Sequence, residues 1–169
     1  MIRTWFCFIV FVLLQVLVMN NIHLFNLVTP FVYLYVILKL PVDMNRLAVI
    51  PISFLLGLSV DWFSNTFGMH AAATTLMGFV RLPLLQGFVD MKEIPEKSIP
   101  SYRLLGVGKF VLYAFILVIV HHLALFIVES FTFFQPLFML VRMGLSIVLT
   151  TLLMCIFEAF NFGGKKSGE

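Results

Sequence analysis

The chain is a succession of long apolar runs separated by short polar breaks. A membrane-spanning helix needs about 20 consecutive apolar residues, and runs of that order use up nearly the whole sequence. The runs cover residues 4–19, 24–40, 47–63, 69–89, 104–128 and 134–160. We therefore expect an all-α integral membrane protein with six transmembrane helices, forming a single domain over residues 1–169.

Composition excludes the main alternatives to a membrane protein. Hydrophobic residues make up 62% of the chain and charged residues only 11%, whereas a soluble domain carries about 25% charged residues. So few charges cannot cover the surface of a water-soluble protein of this size. The same composition argues against a disordered chain, which is polar, and two cysteines are too few for a disulfide-stapled module.

The first apolar run is expected to remain in the protein as a helix. A cleaved signal peptide ends in a pattern of small residues. Here Asn20 and Asn21 lead directly into the next apolar run instead.

The basic residues predict how the chain is oriented. With six crossings, the amino terminus, the second and fourth connectors and the carboxyl terminus share one side of the membrane. Nine of the eleven Lys and Arg residues lie there, and the opposite connectors hold none. The nine are Arg3, Lys39, Arg46, Lys92, Lys97, Arg103, Lys109, Lys165 and Lys166. The positive-inside rule then places both termini in the cytoplasm. These charges would face anionic lipid, which explains them without a nucleic-acid partner.

Five polar side chains within the apolar runs are candidates for a functional role. Charges within a spanning segment are costly and usually face protein or water. The residues are Gln15, Asp61, Arg81, Arg142 and Glu158. We expect Asp61 to form an ion pair with Arg142 or Arg81. Such a pair could fix helix register, or it could belong to a ligand pocket, and the sequence leaves both interpretations open.

Small and polar residues recur at helical spacing on three of the runs. Residues four apart share one face of a helix, and small faces let membrane helices pack closely. The stripes are Ser53, Gly57 and Asp61 on the third run, Thr74, Gly78 and Arg81 on the fourth, and Arg142, Ser146 and Thr150 on the sixth. We expect these three helices to face one another.

Catalytic and metal-binding motifs are absent from the sequence. The histidines, all expected toward the outer side, are His23, His70, His121 and His122. Their spacing matches no zinc motif, and no nucleophile motif accompanies them. Cys7 and Cys155 are expected to be reduced, since both lie toward the cytoplasmic ends of their runs. We expect no enzyme, no metal and no cofactor.

Residues 57–73, GLSVDWFSNTFGMHAAA, resemble a motif of the bacterial rod shape-determining protein MreD family. The matching positions are Gly57, Leu58, Asp61, Gly68 and the alanines that follow. The resemblance extends along most of the chain. It includes Gln15, Pro30 opening the second helix, Leu40 and Pro41 ending it, the turn at Ser64 to Thr66, and the pair His121 and His122, as in the Bacteroidetes branch.

This resemblance implies a non-enzymatic component of the cell-elongation complex in the bacterial inner membrane. Members of the family bind the bitopic protein MreC and, through it, associate with MreB, RodA and a class B penicillin-binding transpeptidase. The implied site is Gly57, Asp61 and Gly68, with Arg81, Arg142 and Gln15 as polar companions. Gly57 would permit close helix approach, Asp61 would organise the polar interior, and Gly68 would allow the chain to reverse.

The same resemblance offers an alternative, because the fold is similar to the substrate-binding subunits of energy-coupling-factor vitamin transporters. Those subunits hold a ligand in a pocket that opens outward. They usually dock their partner through spaced alanines on the first helix. Residues 4–19 contain neither alanine nor glycine, which favours the scaffold over the transporter.

Overall fold

The computed structural model describes residues 2–19, 28–91, 94–130 and 136–163, with side chains described for 6–19, 28–91, 94–129 and 137–161. These residues form helices joined by turns. The helices are α1 (Ile2–Leu17), α2 (Leu34–Leu38), α3 (Arg46–Ser64), α4 (Met69–Phe88), α5 (Tyr102–Leu105), α6 (Val107–Ser130) and α7 (Pro136–Gly163).

Within the described residues, three helices are long and apolar enough to cross a membrane. They are the segments Arg46–Ser64, Val107–Glu129 and Leu137–Asn161. Large apolar side chains such as Phe54 and Leu152 are exposed on their outer faces. Such surfaces suit a hydrocarbon environment and not water. These observations confirm the prediction of an all-α membrane protein, with three helices in the described residues that could span the membrane. Helix α1 is shorter, and α4 carries Arg81 within its length.

The second apolar run differs from the prediction. A continuous helix was expected over residues 24–40, but residues 28–33 are not helical and α2 has only five residues. Pro30 has no N–H to donate and disfavours helical geometry at the residue before it. It therefore precedes the helix instead of opening it. Residues 24–27 lie outside the described part of the chain.

The core surrounds this second run. Tyr33, Leu34, Ile37 and Leu38 are fully buried, which is unusual for a segment with so little regular structure. Around it, α3 and α4 form an antiparallel hairpin, α4 packs on α6, and α6 packs on α7, while α1 contacts α3. The second run, which contains only the short helix α2, thus lies at the centre of the core.

The predicted three-helix interface is only partly correct. Helices α3 and α4 do face each other, but α7 packs chiefly on α6. The small polar face of α7 meets the non-helical residues 29–31 instead, through Ser146 and Thr150. The reason is that the exposed backbone of those residues needs hydrogen-bond partners, and hydroxyl groups supply them.

The polar connector before α5 is held against the end of the second run. The Val42 amide donates to the Ser98 carbonyl over 2.8 Å. The Ser101 side chain caps α5 by accepting from the Leu104 amide. Both contacts lie at the end of the molecule that carries Lys39, Arg46 and Lys109.

Candidate functional site

The motif aspartate caps the first turn of α4. One carboxylate oxygen of Asp61 accepts from the His70 amide at 3.0 Å and from the Thr66 hydroxyl at 2.5 Å. The other accepts from the Ala71 amide at 2.8 Å. A carboxylate at a helix amino terminus satisfies free N–H groups and lies at the positive end of the helix dipole. Asp61 is almost fully buried, so it fixes the angle between α3 and α4.

Gly57 allows the two helices to touch. A Cβ atom at this position would lie 2.5 Å from both the Ala71 Cα atom and the His70 carbonyl oxygen. These are backbone atoms, which cannot move aside as a flexible side chain can. Gly57 is therefore required for the packing distance, as the sequence predicted.

The reversal between α3 and α4 uses two left-handed residues. Asn65 has φ 55° and Gly68 has φ 76°, a region that glycine adopts without strain and asparagine tolerates. Gly68 is also the residue that precedes α4. The structure thus brings Gly57, Asp61 and Gly68 together in one hairpin, which we call the Asp61 hairpin and define as residues 57–71.

The predicted ion pair of Asp61 with an arginine is wrong for the described part of the chain. The Asp61 carboxylate is occupied by the two amides and the hydroxyl of its own hairpin. Arg81 is fully buried elsewhere, where its Nη2 donates to the carbonyl oxygens of Leu40 and Pro41. It binds the end of the second run, because the last carbonyl groups there have no helical partner.

Arg142 lies at the end of the bundle where α3 and α4 are joined, away from the contacts that Arg81 makes with Leu40 and Pro41. Its guanidinium is 5.9 Å from the centre of the Phe138 ring, one turn earlier on α7. It lines a cavity of about 170 Å³ together with His122, Glu129 and Ser146. The wall also includes the non-helical residues Thr29 and Phe31. This cavity has both polar and apolar walls and is open at one side, so it could hold a small ligand.

Gln15 supports the non-helical segment from α1. Its amide nitrogen donates to the Pro30 carbonyl at 3.1 Å, and its amide oxygen accepts from the Val32 amide at 2.9 Å. From the other side, the Phe31 amide donates to the Thr150 hydroxyl at 3.1 Å. Side chains therefore replace the helical bonds that Pro30 disrupts. We call residues 28–33 the unwound segment.

Sequence reasoning missed a buried polar cluster at the centre of the bundle. The Tyr33 hydroxyl lies 3.1 Å from His70 Nδ1 and 2.9 Å from His121 Nε2, and all three side chains are buried. The neighbouring His122 bonds through Nδ1 to the Val118 carbonyl of its own helix. The adjacent histidines were noticed as a motif, but Tyr33 gave no signal, since its partners are 37 and 88 residues away. His23 lies outside the described residues.

Metal binding gains no support from this cluster. Within the described residues, no three His, Cys, Asp or Glu side chains are arranged so that they could hold a metal ion. The rings pack instead with Phe31, which is 5.2 to 5.6 Å from all three imidazoles. The cluster thus connects the unwound segment to α4 and α6 through ring contacts and hydrogen bonds.

Glu158 anchors a second network at the basic end. Its carboxylate pairs with Lys39 Nζ at 2.8 Å and accepts from the Tyr35 hydroxyl at 2.7 Å. Lys39 also donates to the Pro100 carbonyl. Close by, the Tyr102 hydroxyl donates to the Cys155 carbonyl. Desolvation and then the neighbouring Cys155 raise the pKa of Tyr102 to about 12, so the hydroxyl keeps its proton at neutral pH.

Comparison with protein-family models, with curated proteins and with solved structures finds no match to this chain.

Proposed function

We propose that this protein is a scaffold subunit of the MreD kind, in the bacterial inner membrane. It would cross that membrane six times, with both termini in the cytoplasm and the second crossing partly unwound. Its work would be helix-to-helix binding of MreC, within a complex that also contains MreB, RodA and a class B penicillin-binding transpeptidase. It would catalyse no reaction.

The Asp61 hairpin is the observation that carries this proposal. Gly57, Asp61 and Gly68 are the residues on which the resemblance rests, and each has a separate physical role in the same hairpin. Gly57, Asp61 and Gly68 do not themselves line the cavity beside Arg142, whereas Thr66, Met69 and His70 of the same hairpin do. A motif used to set a rigid helix angle suits a protein that presents a fixed surface to partners.

Charge distribution supports the proposed orientation. Lys39, Lys97 and Arg103 border cavities at one end of the bundle, beside Glu158 near the end of α7. Asn65 and Gly68 turn the chain at the other end, and no Lys or Arg occurs between residues 47 and 80, so Arg142 is the basic residue that borders the cavity there. A cytoplasmic location of the basic end is what the positive-inside rule predicts.

The alternative is a substrate-binding subunit of an energy-coupling-factor type transporter. The cavity beside Arg142 favours it, because its wall combines a cation, the Glu129 carboxylate and two residues of the unwound segment, Thr29 and Phe31. Unwound helical segments often form substrate sites in membrane transporters.

Depletion of the protein in its own bacterium separates the two functions. For a scaffold, we expect loss of rod shape, rescue by both wild type and Arg142→Gln, and co-purification of MreC with either form in mild detergent. Normal shape with lost vitamin uptake, and failure of Arg142→Gln to restore that uptake, would establish the transporter instead.

A further inference from the structure

The cavity beside Arg142 is rich in sulfur. Three methionines border it, which are Met69 at the start of α4 and Met139 and Met143 on α7. Met139 and Met143 are four residues apart, so they lie on one face of α7. Methionine is also a common filler of apolar cores. The wall therefore needs a feature that ordinary packing does not produce, and His122 has one.

His122 borders the same cavity and has an unpartnered ring nitrogen. The residue is 3% exposed, and its Nε2 has no hydrogen-bond partner in the described part of the chain. Its Nδ1 lies 2.8 Å from the Val118 carbonyl oxygen, one turn earlier on α6. A carbonyl oxygen can only accept, so Nδ1 carries the proton and Nε2 holds a lone pair. Since Nδ1 faces the α6 backbone, Nε2 lies on the far edge of the ring, away from that helix.

This arrangement is the one that metal-binding histidines adopt. A ligating imidazole usually donates its other N–H to a carbonyl or a carboxylate, which fixes the tautomer and the orientation of the ring. A buried nitrogen without a partner is costly when nothing fills its place. His122 is thus oriented to accept a hydrogen bond or to bind a metal ion, and the three thioethers on the same wall favour the metal.

The set of donors decides which metal the cavity suits. Thioether sulfur is a soft ligand that selects monovalent copper, and imidazole also suits copper. Zinc motifs contain no methionine, so their absence from the sequence does not bear on this site. The described residues group no three His, Cys, Asp or Glu side chains around a possible metal, but that observation concerns other donors.

The charges of the wall do not oppose a cation. Arg142 and Glu129 bring one charge of each sign to the cavity. A second proton on His122 would place an unpaired charge at a buried position, which is costly, so this ring is neutral. The wall therefore has no net charge from these groups that would repel a monovalent cation.

We propose that the cavity beside Arg142 is a Cu(I) site. Its ligands are the Nε2 atom of His122 and the thioethers of Met69, Met139 and Met143. Bound copper would join α4, α6 and α7 beside the unwound segment, two residues of which line the same cavity. The site is separate from the proposed binding of MreC, because it uses none of the residues that carry that proposal.

The test starts from a chain without thiols. Cys7 and Cys155 are free, and thiolates also bind Cu(I), so the full chain carries Cys7→Ser and Cys155→Ser and no terminal tag. In detergent and without oxygen, Cu(I) is supplied as its acetonitrile complex, the protein is desalted, and bound copper is counted by mass spectrometry. One Cu(I) should remain per chain, and an equal concentration of Zn²⁺ should not displace it. Absence of bound copper, or its displacement by Zn²⁺, would overturn the proposal.

Matched methionine variants localise the metal. Met139→Leu with Met143→Leu removes two thioethers at nearly constant volume, which buried sites tolerate. It should weaken Cu(I) binding, measured by competition with a chromophoric chelator, by more than about 100-fold, since even an outer-shell partner is worth about 10–100-fold. Met77→Leu with Met154→Leu removes two fully buried methionines outside the cavity and should leave the affinity unchanged. Equal affinities of the two double variants would place the copper elsewhere and overturn the proposal.

X-ray absorption at the copper edge identifies the ligands independently of affinity. In the chain without cysteines, a sulfur neighbour of copper can only be a methionine. The spectrum should show sulfur neighbours together with an imidazole, and the sulfur signal should fall in the Met139→Leu, Met143→Leu variant. Copper with only nitrogen and oxygen neighbours would overturn the proposal. None of these measurements depends on the proposed partner MreC.

Discussion

The Asp61 hairpin and the unwound segment solve the same problem in different ways. Both contain backbone groups that must be satisfied away from water. In the hairpin, Asp61 binds amides only 9 and 10 residues away, and a glycine permits close contact. In the unwound segment, the Phe31 amide is bound by Thr150, which is 119 residues away. The first arrangement is local and the second depends on assembly of the whole bundle.

This difference predicts how each region fails when it is altered. A local capping carboxylate serves several donors at once, so its loss leaves more than one group unpaired. The unwound segment distributes its bonds between α1 and α7. A single change there removes a smaller share of the support.

The largest effect is expected for Asp61→Ala. It leaves the His70 and Ala71 amides unpaired, and two charge-assisted bonds at about 1.5 kcal/mol each suggest a loss of about 3 kcal/mol in unfolding free energy. Equilibrium unfolding of the purified protein in mixed micelles would measure this. Asp43→Ala, at an exposed aspartate, should stay within about 0.5 kcal/mol of wild type.

A loss near that of Asp43→Ala would contradict the capping role of Asp61. Asp61→Asn refines the test, because the amide keeps an acceptor oxygen but loses the charge. It should fall between wild type and Asp61→Ala.

Gln15→Leu is expected to be next in size. It removes the partners of the Pro30 carbonyl and the Val32 amide, and each of these two neutral hydrogen bonds contributes about 1 kcal/mol. We expect a loss of about 2 kcal/mol in the same unfolding titration. Gln86→Leu, at an exposed position of α4, is the matched control.

If the two glutamine variants were equally stable, the unwound segment would be held by α7 alone. Gln15→Glu should be at least as destabilising as Gln15→Leu, because an ionised carboxylate at this fully buried position loses its hydration and faces the Pro30 carbonyl oxygen.

The sequence predicted one helical face for Gly57 and Asp61 and a chain reversal at Gly68, but neither the capping role of Asp61 nor the unwound segment. Gly57 and Asp61 are four residues apart, which places them on one helical face, and Gly68 marks the turn. Every step of that prediction is local. The error of pairing Asp61 with an arginine came from counting charges without counting the amide groups that a carboxylate can also bind.

The second run was misread because its composition is as apolar as that of a helix. Pro30 was visible, but prolines are common in membrane helices, so it did not identify a break. The segment is unwound because Gln15, Ser146 and Thr150 lie within hydrogen-bonding distance of its backbone. No spacing rule relates these three positions in the sequence. Tyr33 and its two histidines were missed for the same reason.

The smallest of the three effects is expected for Thr150→Val, and it tests whether support from α7 is real. The substitution keeps the shape of the side chain but removes the acceptor of the Phe31 amide, at a cost of about 1 kcal/mol. Thr151→Val is the control at the adjacent position, because the Thr151 hydroxyl bonds only to the Ile147 carbonyl of its own helix. The Ile147 carbonyl also accepts a hydrogen bond within the helix, so losing the bond from the Thr151 hydroxyl should cost less than about 1 kcal/mol. Equal losses would mean that α7 positions the unwound segment by packing alone, and Gln15 would then be its main polar support.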